Sequence, residues 1–157
     1  IMLVEVKIGA LIMDPNSNTP IVVLKSMDSE TILPIWVGAF EANAIALEIE
    51  KIVPQRPMTH DLLRNLIVEL GLTVKRIIIN DLRENTFYAL IELENSEGKP
   101  VNLDARPSDA IALALRLDCP IMVEQKVLDI STASSMKPDT EFEDTDLVTE
   151  DWPDLIG

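Results

Sequence analysis

The sequence predicts an α+β fold: duplicated β-β-β-α units forming one compact domain, with a mixed, largely antiparallel sheet and helices packed on it. Two internal matches carry this expectation. PIWVGAFEANAIALEI (34–49) lies over PVNLDARPSDAIALAL (100–115), with coincident prolines, a short strand pattern, a polar turn and an Ala-Ile-Ala-Leu helix start. At the same spacing IVVLKSMDSETIL (21–33) lies over FYALIELENSEGK (87–99), each a strand, a polar turn and a return strand. The third observation is VEVKIGALIM and TVKRIIIND, which open the two copies as long apolar strands.

Taken in order, the repeats run over about residues 4–50 and 72–118. Between them Pro54 and Pro57 mark a loop. A linking helix follows at about 59–70: Thr59 is placed to cap it, Leu62, Leu63, Leu66, Ile67 and Leu70 recur at helical spacing, and Gly71 stops it. After the second copy Pro120 leads into IMVEQKVLDI, which reads as one or two further strands. Trp36, on the strand entering the first copy's turn, reads as a core residue.

Length and composition bound the rest. The 157 residues suit one domain with a real core, 47% hydrophobic and only 4% aromatic, so the core is aliphatic. IMLVEVKIGALIM is interrupted by Glu5 and Lys7, which argues against a membrane span or a signal peptide. The single cysteine, Cys119, makes no disulfide within the chain and reads as a small buried hydrophobe. A cytoplasmic protein is the expectation. The formal charge of −14 divides unevenly: residues 138–157 hold eight acids and no Lys or Arg, and residues 1–137 hold 19 acids and 13 bases. The first part is read as the folded domain (1–137) and the second as an acidic C-terminal tail, mobile in solution. Neither has the basic footprint of a protein that grips nucleic acid through phosphates.

Phosphate-cradling glycine loops, HExxH, Gly-x-Ser-x-Gly and CxxC are all absent. What remains is a set of polar residues at element boundaries. Ser108 or Asp109 would serve as a helix cap after Pro107. Asp104 and Arg106 precede the helix and exceed what a cap requires; they either pair with each other or form a site on a loop. His60, the only histidine, stands at a helix start beside Asp61, as a proton-transfer group, a metal ligand or a plain surface residue. Glu41, which the repeat sets opposite Pro107, is a metal-binding carboxylate or an ordinary helix-start acid. Chemically, carboxylates at strand ends suit Mg²⁺ or Mn²⁺, an arginine clamps phosphate oxygens, and a histidine moves a proton.

In sequence order, LPIWVGAFEANAIALEIE, RPMTHDLL, TFYALIEL, DARPSDAIALALR and PIMV together resemble the bifunctional nuclease family over about residues 3–130. The resemblance implies an intracellular α+β domain whose plant members degrade DNA and RNA. Glu41, Arg56, Thr59, His60, Asp61, Asp104, Arg106, Ser108 and Asp109 match the family's polar positions. The expectation is then a metal-dependent nuclease acting on DNA and RNA. His60, Asp104, Arg106 and Asp109 would be catalytic, Arg56, Thr59 and Ser108 would bind substrate, and Glu41, Asp61 and Asp104 would hold Mg²⁺ or Mn²⁺. The alternative is a non-catalytic binding or assembly module, a homo-oligomer with a dimer favoured, whose polar motifs hold the fold together.

Overall fold

The computed structural model describes residues 1–133. The domain boundary near 137 and the acidic tail fall on residues outside these. The described chain forms strands β1 (Leu3–Asp14), β2 (Thr19–Ser26) and β3 (Ile32–Trp36), then helices α1 (Ala39–Ile49) and α2 (Thr59–Glu69). Strands β4 (Thr73–Arg83), β5 (Thr86–Glu94) and β6 (Pro100–Ala105), helix α3 (Pro107–Leu117), strand β7 (Ile121–Glu124) and helix α4 (Gln125–Ala133) follow. The fold is α+β: one seven-stranded sheet in the order β3-β2-β1-β7-β4-β5-β6. Every neighbouring pair is antiparallel except β4 with β7.

The two three-stranded meanders flank β7, and β1 and β4 run in opposite directions. A twofold about the sheet normal produces this arrangement. The geometry is a statement about strand order and does not establish a sequence duplication. Helix positions also part from the sequence match: α1 starts five residues before Ala44, α3 only three before Ala110. Glu41 and Asp109 are thereby both third residues of their helices, where the sequence match sets Asn43 opposite Asp109.

Core formation depends on bulges. In β4, Val74, Ile77, Ile79 and Leu82 all join the main core, which strict alternation forbids. Register shifts between Val74 and Arg76 and between Ile79 and Asp81 each reset the phase, returning an apolar side chain to the core face. The shift between Ile8 and Ala10 does the same in β1, so Val6 and Leu11 share one face. Burying such a branched side chain stabilises by about 1.5–3 kcal/mol, and the sheet-facing aliphatics of α1 and α3 add to the same core.

Three expectations are corrected. IMVEQKVLDI is not strand throughout: β7 ends at Glu124 and α4 follows at once, burying Val127 and Leu128. A short apolar run does not by itself distinguish the two states. Thr59 does not cap α2; the cap is Met58, whose N–H donates to Asp61 Oδ2 at 2.9 Å, while Gly71 (φ +72) does end the helix turn as expected. Trp36 is not core, being 37% exposed at the edge strand, with its indole N–H donating to Asp14 Oδ2 at 3.2 Å. Cys119 packs against the core from partial burial, which pushes its thiol up to about 11. Among the described residues no helix is long and apolar enough to cross a membrane.

Candidate active site

The starts of α1, α2 and α3 meet on one side of the sheet. Arg106 is the N-cap residue of α3 in extended conformation (φ −71°, ψ 144°), with Pro107 filling the first helical position, where no N–H acceptor is required. Its guanidinium bridges the two helices: Nη1 lies 3.1 Å from Glu41 Oε1, and Nη2 2.8 Å from Asp109 Oδ2. The Nε also donates to Asp109 Oδ2, at 3.0 Å. Asp109 and then Glu41 hold the guanidinium above the ordinary arginine range. Asp109 uses its second oxygen on His60, with Oδ1 2.8 Å from Nε2. The result is a chain His60–Asp109–Arg106–Glu41 drawn from three helices. His60 is mostly shielded, its side chain 12% exposed, whereas that of Arg106 is 68% exposed.

Gly38 makes room for this arrangement. A Cβ there would stand 2.8 Å from Glu41 Oε1, so any side chain pushes the carboxylate away. The capping role expected of Ser108 or Asp109 is not observed: α3 has no side-chain cap, and Asp109 is spent on His60 and Arg106. Asp104 does not pair with Arg106 either. It is exposed on β6, without a partner among the described residues, on the wall of a cavity.

That cavity, about 780 Å³, opens beside the chain of four. Leu47 of α1, Leu63 of α2 and Leu93 of β5 are among its aliphatic walls, and His60, Asp104, Arg106 and Asp109 stand along its polar side. The volume lies within the ~300–1,000 Å³ usual for ligand sites. It also explains why α2 departs from its pattern. Of the five apolar residues at helical spacing, only Ile67 is buried; Leu63, Leu66 and Leu70 line the cavity that the helix roofs, and Leu62 does not.

The other expected site residues separate. Thr59 is exposed on the cavity wall; Arg56 is exposed and outside it; Ser108 is buried and faces a second, smaller cleft. Asp61 turns away from His60 and accepts Arg116 Nε at 2.8 Å besides the Met58 N–H. Burial opposes its charge, but the Met58 N–H and Arg116 outweigh that and hold the carboxyl below its ordinary value. Arg116 is a residue the sequence reading missed. Its side chain is 2% exposed and also donates to Ala112 O at 2.9 Å, tying α2 to α3. The available signal was a lone arginine on the apolar stripe of AIALALRL. For a metal, the expected set does not fit as arranged: Glu41 is held by Arg106, Asp61 by Arg116, and Asp104 stands alone. Among the described residues no three His, Cys, Asp or Glu side chains converge as a metal-holding group.

An α+β domain with a histidine–aspartate–arginine chain at a cavity is the class this geometry defines. Residues 22–136 match the bifunctional nuclease domain, and the chain belongs to that family. An uncharacterized protein of Mycobacterium tuberculosis is 41% identical over 148 residues, covering 94% of this chain and 87% of its own length. Bifunctional nuclease 2 of Oryza sativa subsp. japonica is 30% identical over 122 residues, and Bifunctional nuclease 1 of Arabidopsis thaliana 26% over 109. The matches cover 76% and 68% of this chain but only 38% and 34% of the two plant proteins.

Proposed function

We propose that this domain hydrolyses phosphodiester bonds in DNA and RNA, with His60 as the proton-transfer group and Arg106 as the phosphate clamp. The observation that carries the reading is the 2.8 Å contact of His60 Nε2 with Asp109, placed beside an exposed arginine at an open cavity. A carboxylate on one ring nitrogen fixes the imidazole and leaves the other free to act as base. With Nε2 donating to Asp109, Nδ1 takes a proton from the attacking water as its oxygen bonds to phosphorus. The P–O bond to the leaving group breaks, the departing oxygen takes a proton from solvent water, and the protonated His60 returns its own proton to solvent. Arg106 offers N–H donors to the non-bridging oxygens, where charge builds. Asp104, on the cavity wall and without a partner among the described residues, would orient the water.

The expected carboxylates do not converge, so the proposed hydrolysis uses these side chains and water alone, and Mg²⁺ or Mn²⁺ dependence is an arm of the test. Purified protein is incubated with single-stranded DNA, duplex DNA and RNA, each with Mg²⁺, Mn²⁺ or EDTA, beside His60→Ala, Asp109→Asn and Asp104→Ala. Loss of about 10²–10⁴-fold in rate is expected for His60→Ala. Activity that survives His60→Ala and Asp109→Asn removes these residues from the mechanism, and no activity in any arm removes the enzyme reading.

A second reading, assembly into a homodimer, has its own observation. Leu62 and Leu66 of α2 and Leu70 directly after it are 63%, 53% and 65% exposed, an apolar stripe that includes the rim of the cavity and is unusual for a solvated surface. Light scattering after size exclusion decides it: a monomer mass at micromolar concentration ends this reading, and a dimer that Leu66→Glu dissociates supports it.

A further inference from the structure

We infer that the smaller cleft sharing Arg106 with the cavity is a single-nucleotide subsite, taking a phosphate at the start of α3 and one unstacked base against Trp36. This rests on the nuclease reading and adds the substrate class: single strands.

The cleft measures about 280 Å³, and Trp36, Gly38, Asn85, Phe87, Arg106 and Ser108 contribute to its walls. Room on this scale admits one base with its phosphate, not a base pair flanked by its duplex backbone. Two helix starts converge here, Gly38 capping α1 and Pro107 opening α3, and neither helix has a side-chain cap. Pro107 has no N–H and Ala110 N–H donates to Arg106 O at 3.0 Å, so the Ser108 and Asp109 N–H groups are the ones left without an intrahelical acceptor, the arrangement that favours an anion. Ser108 supplies the independent observation. It is 6% exposed and lines the cleft, and its hydroxyl, without a hydrogen-bond partner among the described residues, is not sealed off from that cleft, so it is free to bond a phosphate oxygen there. Arg106, held by Glu41 and Asp109, presents the rest of its guanidinium to the same space.

Trp36 supplies the base platform. Its N–H is tied to Asp14, which sets the ring orientation, while over a third of the residue stays exposed. A pre-oriented indole loses little freedom when a base stacks on it, and such stacking tolerates any base. The neighbouring carboxylates are occupied: Asp14 by the indole, Glu41 and Asp109 by Arg106. The cleft is thus open to a phosphate despite the acidic surface. Polynucleotide crossing Arg106 would place the adjoining phosphodiester beside His60.

The test is binding, separate from turnover. The chain has two tryptophans, so Trp152→Phe leaves Trp36 as the only reporter in the full-length protein. At low salt this protein is titrated with AMP, a phosphorothioate oligo(dT) octamer and a blunt eight-base-pair duplex. Quenching by AMP and the octamer, with duplex binding at least about tenfold weaker, is expected. In fluorescence anisotropy with the labelled octamer, Trp36→Leu should weaken binding about tenfold and Ser108→Ala about threefold. Circular dichroism and the urea midpoint confirm that both variants fold. Octamer binding unchanged by both substitutions overturns the subsite, and equal duplex binding, or AMP binding without octamer binding, overturns the single-strand assignment. Binding that depends on Trp36 without cleavage leaves the subsite standing and removes the hydrolase, and cleavage without dependence on Trp36 does the reverse.

Discussion

At the scale of single residues, chemistry follows from who holds each charge. Asp61 is the clearest titrating case. Its folded value lies below the ordinary 3.8, so its contribution to stability is fully present above that pH and is lost as pH falls through the lower folded value. Urea midpoints measured from pH 5 down to pH 2.5 should fall more steeply for the native chain than for Asp61→Asn; parallel slopes would contradict the assignment. Cys119, with its thiol near 11, should react with iodoacetamide at pH 8 about a hundredfold more slowly than a free thiol, followed by mass spectrometry. Gly38→Ala tests Glu41. The new Cβ displaces a flexible carboxylate, so folding stability should change by under about 1 kcal/mol while the rate of the proposed hydrolysis and its pH profile shift, because Arg106 loses one of its two holders. Which residues carry these roles was partly legible. DARPSD exceeds what a helix start requires, and Arg106 and Asp109 do join His60. The pairing itself was not legible: Arg106 reaches Glu41, far away in sequence, and ignores Asp104, two residues before it.

At the scale of elements, α2 and α3 are joined by a buried ion pair. Arg116 lies under the helix contact with Asp61, and replacing it by Met strands the carboxylate. Arg116→Met should cost about 3 kcal/mol in urea unfolding, and Arg116→Met combined with Asp61→Leu should recover much of that. A double variant no better than the single one would show that the pair is not what joins the helices. Helix existence was readable from spacing and from Gly71, because local backbone preference acts over a few residues. Which face of α2 is buried was not. Leu63, Leu66 and Leu70 share a stripe with Ile67, yet only Ile67 is covered, since the space beneath is a cavity that all four line; Leu62 lies outside it. The α4 helix escaped for a related reason: Val127 and Leu128 are buried by contacts with the sheet, which a window of ten residues does not contain.

At the scale of the whole molecule, β7 joins the two meanders. It pairs with β1 on one side and β4 on the other, although it comes last in the sheet's chain order. Neither meander closes on the other without it, so unfolding should be one cooperative event. Trp36 fluorescence in the Trp152→Phe protein and far-ultraviolet circular dichroism should give one urea midpoint, and Ile77→Ala should lower both together by about 3 kcal/mol. Midpoints that separate would mean the halves fold independently. By itself the sequence determined the α+β class, the run of strands and helices through α3, the aliphatic core and the family, because hydrophobic period, turn chemistry and motif order are local properties of the chain. Tertiary structure decided the rest. Bulges at Gly9 and along β4 set which alternate residues face inward, β7 was inserted between strands distant in sequence, and the convergence of three helix starts made Arg106 the centre of an ion-paired cluster. These depend on long-range contacts, whose free energy no stretch of sequence holds alone.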